Sequence, residues 1–202
     1  EFRRVLFRSN AVLLLDQNLK TVRGWYSLQG SVRALSASPD GARVAALSRD
    51  RWVVWDAQTG QEVRSGKAGP DTTLGFAADG ALLLLEDGTL DRLDLGSGVR
   101  TELLGDGEAY GVRVSPDGTR AAVIYDSRVD LVSLPDGKVV TSGEISDDWD
   151  GLEATFSPDG QAAVIRTGSA ALILRAGQDT ATEVEGGEDF SLDGRDRKST
   201  RL

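Results

Sequence analysis

The chain contains no cysteine, no histidine and no methionine, and its 202 residues include only five prolines. Without cysteine there is no disulfide framework, an absence compatible with either side of a bacterial membrane. Without histidine as well, these residues cannot form a Ser-His-Asp triad, a Cys-His pair or the usual zinc and haem ligand sets. That exclusion holds for the residues given and not for any further part of a parent protein. No apolar run approaches the roughly 18 residues of a membrane-spanning helix. Positive charge is scarce, with 23 Lys and Arg against 32 Asp and Glu. A negative surface repels phosphate backbones and no basic patch offsets it, so nucleic acid is disfavoured as a partner.

The two ends read differently from the acidic, glycine-rich text between them. Glu1-Phe2-Arg3-Arg4-Val5-Leu6-Phe7-Arg8-Ser9 and Asp196-Arg197-Lys198-Ser199-Thr200-Arg201-Leu202 resemble translations of the two strands of a short-read library adapter. Residues 1–9 and 196–202 are therefore set aside before the fold is considered. This removes six of the 23 basic residues and two of the 32 acidic ones, leaving 17 against 30 and a net charge of −13. The absence of any Met, a start residue included, fits an internal stretch of a longer protein.

What is present is a repeat. An Asp-Gly turn recurs as Ser38-Pro39-Asp40-Gly41, Ala77-Ala78-Asp79-Gly80, Ser115-Pro116-Asp117-Gly118, Ser157-Pro158-Asp159-Gly160 and Ser191-Leu192-Asp193-Gly194, its glycines 39, 38, 42 and 34 positions apart. Pro presets a turn-compatible φ, Asp bonds nearby backbone and Gly reaches positive φ, so each tetrapeptide closes a hairpin. The strand after each turn is a short apolar run: Val44–Leu47, Leu82–Leu85, Ala121–Ile124 and Ala162–Ile165. A half-exposed strand would alternate, so continuous apolarity predicts strands covered on both faces. Third strands follow at Trp52–Trp55, Leu90–Leu93, Val129–Val132 and Ala171–Leu174, ending in turns near Gly60, Gly98, Gly137 and Gly177. A more polar fourth strand, as in Gln61–Val63 or Lys138–Val140, suits an outer edge.

Four strands in about forty residues is the size of a propeller blade. The stretch Val32 to Val63, with Ser38-Pro39-Asp40-Gly41, Ser48-Arg49-Asp50, Val53-Val54-Trp55-Asp56 and Thr59-Gly60, resembles a WD repeat. Later units keep the frame with Leu93-Asp94, Val132-Ser133 and Leu174-Arg175 in place of Trp-Asp, and the Gly-His pair is absent, so the family's His-Asp-Ser-Trp network cannot form. The resemblance spans nearly all of residues 10–195 and implies an all-β propeller fragment of the degenerate bacterial kind. Its expected parts are a part blade at 10–30, blades at about 31–70, 71–108, 109–148 and 149–186, and the start of another at 187–195. A parent ring of roughly seven or eight blades is implied, and the isolated segment is expected to associate through uncovered blade faces.

Asp147-Asp148-Trp149-Asp150-Gly151 has three carboxylates within four positions but lacks the Asp-x-Asp-x-Asp-Gly spacing and later Glu of a calcium loop, so a solvated interblade loop with Trp149 as anchor is the simpler reading. Trp52 and Trp55 suggest an aromatic platform, yet their strand is one expected to be buried. Arg49-Asp50-Arg51 and Asp126-Ser127-Arg128 sit at tight tips where Asp braces the turn. No catalytic residue, metal ligand or cofactor is implied.

Loops joining successive blades emerge on one face, and here they carry Asp106, Glu108, Asp147, Asp148, Asp150, Glu188 and Asp189; only Gly66-Lys67-Ala68-Gly69-Pro70 breaks the acidic pattern. That face, with Trp149, is the candidate surface for a protein partner with a basic segment. The leading expectation is a non-catalytic interaction scaffold. The alternatives are a lactonase-like or quinoprotein-like enzyme or small-ligand binder completed by missing blades, and an extracytoplasmic TolB-like accessory propeller.

Overall fold

A computed structural model describes residues 4–8, 11–16, 18–26, 28, 30–105, 109–145, 154–166 and 170–185, and all regular structure among them is β. Two compact units divide the chain, Glu1–Val112 and Arg113–Leu202. In the first, β1 (Arg4–Arg8), β2 (Ala11–Leu15) and β3 (Thr21–Trp25) form a three-stranded antiparallel sheet. The last two are the strands expected between Ala11 and Trp25, and residues 4–8 add a third, with Arg4 opposite Leu15 and Arg8 opposite Ala11.

Two four-stranded meanders complete this unit. One comprises β4 (Ala34–Ala37), β5 (Arg43–Leu47), β6 (Arg51–Asp56) and β7 (Glu62–Lys67). The other comprises β8 (Thr73–Phe76), β9 (Leu82–Glu86), β10 (Thr89–Leu93) and β11 (Arg100–Leu104). The second unit repeats the plan with β12 (Gly111–Val114, across the division), β13 (Arg120–Ile124), β14 (Arg128–Ser133) and β15 (Val139–Glu144). Its last sheet has β16 (Ala154–Phe156), β17 (Ala162–Arg166), β18 (Ala170–Arg175) and β19 (Thr182–Glu185). Each sheet is a propeller-type blade. In four of the five sheets the pairing of the last two strands slips once, between Leu14 and Leu15, Val54 and Trp55, Leu90 and Asp91, and Leu131 and Val132, while β18 and β19 pair in unbroken register. Such bulges increase local twist; those in β2, β6 and β14 fall near the strand's C-terminal end, before the turn into the last strand, whereas that in β10 falls near its start.

The middle strands show why the apolar runs are continuous. Along β5 and β6, Val44, Ala46, Val53 and Trp55 pack into one cluster with Val12, Leu14 and Trp25, while Ala45, Leu47, Trp52 and Val54 pack into another with Phe76, Leu82 and Leu84. Side chains of a strand alternate between faces, so one blade contributes to two cores. Trp55 stacks on Trp25 with ring centroids 5.2 Å apart, and the indole Nε1 of Trp25 donates to the Gly60 carbonyl at 2.9 Å. Trp52 and Trp55 are core residues and not a ligand platform.

The three Ser-Pro-Asp-Gly turns share one hydrogen-bond pattern. Ser38 Oγ donates to Asp40 Oδ1 at 2.5 Å and accepts from the Arg43 amide at 2.9 Å, while Asp40 Oδ1 also accepts from the Ala42 amide. Gly41, at φ 68°, donates to the Ser38 carbonyl. Ser115 with Asp117 and Ser157 with Asp159 repeat the arrangement. The serine hydroxyl, followed by the backbone amide two residues on, holds the Asp40 and Asp159 carboxyls below their ordinary pKa.

Turns into the fourth strand explain the varied dipeptide. Asp56 Oδ1 accepts from the Thr59 amide at 2.6 Å and from its hydroxyl at 2.9 Å, and Asp94 holds Ser97 in the same way. In the third full blade Ser133 occupies that place and the carboxylate moves to Asp136, which accepts from Ser133 and from the Lys138 amide. Donor and acceptor have exchanged positions while the Gly137 amide still donates to the Ser133 carbonyl.

Candidate functional site

In the first unit the loop between the blades β4–β7 and β8–β11 lies beside the tips that join their second and third strands. Contrary to the expected loop Gly66–Pro70, Gly66 and Lys67 belong to β7 and the loop begins at Ala68. The strand runs on because Gly66 lies opposite Trp52, and a Cβ there would come within 2.6 Å of the indole.

The segment Ala68–Thr72 is braced from three sides. Ala68 N donates to the Asp50 carbonyl at the neighbouring tip at 2.9 Å. Gly69 N donates to Thr72 Oγ1 at 2.8 Å. Arg33 reaches up from the start of β4, donating through Nε to the Ser48 carbonyl at 3.1 Å, through Nη2 to the Gly69 carbonyl at 2.8 Å, and through Nη1 to the Pro70 carbonyl. A loop whose backbone is bonded this way presents its side chains without first having to be ordered.

Beside it, β9 and β10 are joined by the two residues Asp87 and Gly88, both at positive φ, 48° and 76°. That matches a type I′ hairpin. Loop and tip enclose an open recess of about 270 Å³ lined by Lys67, Asp71, Thr72, Glu86 and Asp87 among others. Acids outnumber the single lysine. Arg100 Nη2 donates to Glu86 at 2.7 Å and its Nε to Asp91 at 2.6 Å, so Glu86 is anchored at the rim by a half-exposed arginine.

The second unit builds the equivalent tip differently. Arg128 lies over the Tyr125 ring at 3.8 Å, and its Nε donates to Asp130 Oδ2 at 3.1 Å. Asp130 is buried, and its Oδ1 accepts from Ser142 Oγ at 2.7 Å. Burial pulls the guanidinium pKa down, but hydrogen bonds to Asp130 and Tyr125 outweigh this and hold it above its ordinary value. The group stays cationic, which is what a buried carboxylate partner requires. Ile145 N donates to the Ser127 carbonyl at 2.8 Å, joining loop to tip as in the first unit.

Asp106, Glu108, Asp147, Asp148, Trp149, Asp150, Glu188 and Asp189 all lie outside the described residues. Among the described residues no three acids are grouped so as to hold a metal ion, and no helix is long and apolar enough to cross a membrane.

Arginines that tie one blade to the next were not singled out from the sequence. Arg43 Nη1 donates to the Gly80 carbonyl at 2.9 Å, and Arg120 Nη1 to the Gly160 carbonyl at 3.3 Å. Arg23 Nη2 donates to the Gln58 carbonyl at 2.6 Å, and Arg64 Nε to the Leu95 carbonyl at 3.1 Å. Thr141 takes the corresponding place in the second unit, donating to the Arg175 carbonyl at 2.7 Å. The available signal was positional: Asp-Gly-x-Arg at 40–43 and 117–120, and Val-Arg at 22–23 and 63–64.

A family model of the lipoprotein LpqB β-propeller domain matches residues 9–145, two-thirds of the chain. The chain belongs to the LpqB β-propeller family. No curated protein matches it. Among solved structures, this LpqB-type propeller is similar to hydrazine synthase of Kuenenia stuttgartiensis, at 21% identity and TM-score 0.63, covering 82% of this chain and 57% of that one. It is also similar to the β-propeller domain of Cps50 (Swd1) from Myceliophteria thermophila, at 13% identity and TM-score 0.66, covering 86% and 64%. At these identities the likeness is one of fold. The LpqB-type segment thus spans less than two-thirds of either protein, and its blades are those of a β-propeller.

Proposed function

We propose that the chain is part of a WD-repeat-like propeller that binds a protein partner carrying a basic segment, through the face bearing the interblade loops. The observation that carries this reading is the braced recess between Ala68–Thr72 and the Asp87 tip, a rigid surface with more acids than bases. Summed fields of one sign speed association with an oppositely charged partner and weaken with salt. Asp147, Asp148 and Asp150, acids of a later interblade loop in the sequence, are included in the proposal on their sequence position alone.

The test uses the full-length parent protein. A partner captured from source lysate is purified, and its association rate is measured against salt for the native protein and for Asp147→Asn/Asp148→Asn/Asp150→Asn. Slower association and a flatter salt dependence, at unchanged thermal stability, support the reading. Indifference of both would move recognition to the opposite face or the blade edges.

A second reading, an extracytoplasmic accessory propeller, is favoured by the family's description as a lipoprotein domain. An export signal at the start of the full-length reading frame would support it, and a cytoplasmic enzyme domain fused there would contradict it.

A further inference from the structure

The chain is rich in Asp-Gly pairs, and six of them, at Asp40, Asp79, Asp87, Asp117, Asp136 and Asp159, fall on described residues. Such a pair can cyclise, because a glycine amide with no neighbouring Cβ can reach the preceding carboxyl. The fold blocks this at five of the six. The Gly41, Gly80, Gly118, Gly137 and Gly160 amides each donate to a carbonyl at 2.8–2.9 Å. The five carboxylates are held too: Asp40, Asp117 and Asp159 by serine hydroxyls and backbone amides, Asp79 by the Ala81 amide and Arg92, and Asp136 by the Lys138 amide.

Asp87-Gly88 differs on every count. Among the described residues neither the Asp87 carboxylate nor the Gly88 amide has a hydrogen-bond or ionic partner, and the Asp87 side chain is exposed. Asp87 also sits at φ 48°, a conformation that a residue with a Cβ adopts at a cost.

We propose that, among the six Asp-Gly pairs on described residues, Asp87 is the one at which the folded chain spontaneously isomerises to isoaspartate. The Gly88 amide nitrogen attacks Cγ of the protonated Asp87 carboxyl. An N–Cγ bond forms, and one carboxyl oxygen leaves as water with the amide proton and the acid proton, giving a succinimide. Water then adds to one of the two ring carbonyls. Opening at the α-carbonyl routes the backbone through Cγ and leaves a free α-carboxylate. Composition and oxidation state are unchanged. The product has one extra backbone atom in a two-residue turn, which disturbs the Glu86–Thr89 pairing at the end of the β9–β10 ladder and reshapes the rim of the recess.

The experiment incubates the chain in heavy-oxygen water at neutral pH. Peptide mass spectrometry reads label and isoaspartate at each pair, while near-UV circular dichroism of the Trp25–Trp55 stack confirms that the chain stays folded. The Asp87 peptide is expected to label at least about tenfold faster than the five clamped ones, the factor that one hydrogen bond adds to a barrier. In urea the six rates are expected to converge. Equal labelling in the folded chain, earlier labelling at a clamped pair, or no isoaspartate at Asp87 would overturn the proposal.

Discussion

Replacing Trp55 by alanine probes the contact between the first sheet and the blade that follows it. The side chain is 2% exposed and lies among Val12, Leu14, Trp25, Val44 and Val53. Truncating a buried Trp costs about 3–5 kcal/mol through lost burial and the cavity left behind. Of that, about 0.5–1.5 kcal/mol is the aromatic pair with Trp25. Set against the roughly 5–15 kcal/mol that holds a typical domain, the change is a large fraction of stability. Stacked repeats can unfold in parts, so the assay is urea unfolding followed by far-UV circular dichroism, for Trp55→Ala, Trp25→Ala and the double variant. The expected result is a marked loss in each single variant and a coupling of about 0.5–1.5 kcal/mol between them. An unchanged midpoint in Trp55→Ala, or strictly additive losses, would refute the idea that one face of β6 is packed against the preceding sheet.

Further outcomes follow from named contacts. Gly41→Ala is expected to cost on the order of 1 kcal/mol, from positive φ alone, since nothing lies within 4 Å of the added Cβ. Gly66→Ala is expected to cost more despite its ordinary φ, because the Trp52 indole must move, and thermal melts compare the two. Arg64→Ala is expected to lower the urea midpoint by about 1 kcal/mol equivalent, a charged hydrogen bond discounted for partial exposure. On acidification, Asp40 and Asp159 have folded pKa values below the unfolded value of 3.8, so their contribution is complete above that value and is lost as pH falls through the lower folded ones. Acid titration should therefore show stability falling below about pH 4, with a shallower fall in Ser38→Ala/Ser157→Ala.

The blades were legible because their signals are local. Asp-Gly turns and runs such as Leu82–Leu85 report a backbone requirement and a two-sided burial that no neighbour can disguise. What joins the blades was harder to read. Arg43 and Arg64 look like solvated charges until the next blade's turn carbonyls are placed beside them. The exchange of carboxylate and hydroxyl between Ser133 and Asp136 looked like decay of a motif, although the turn is capped as before. Gly66 read as a loop residue because a close approach by Trp52 depends on strand register. The recess at Asp71 and Glu86 was not foreseen, since it depends on which tip stands beside which loop.

Within each unit neighbouring blades stack face against face, and the absence of cysteine allows a clean test. A Cβ on Gly143 of β15 would lie 2.7 Å from that of Ala181, at the entry to the next blade's outer strand. A disulfide needs about 3.5–4.5 Å between Cβ atoms, so a small relaxation suffices. In dilute Gly143→Cys/Ala181→Cys, oxidation is expected to consume both thiols within one chain, giving a monomer of altered mobility that reduction restores. Thiols that stay free, or that form only disulfide-linked dimers, would contradict the stacking.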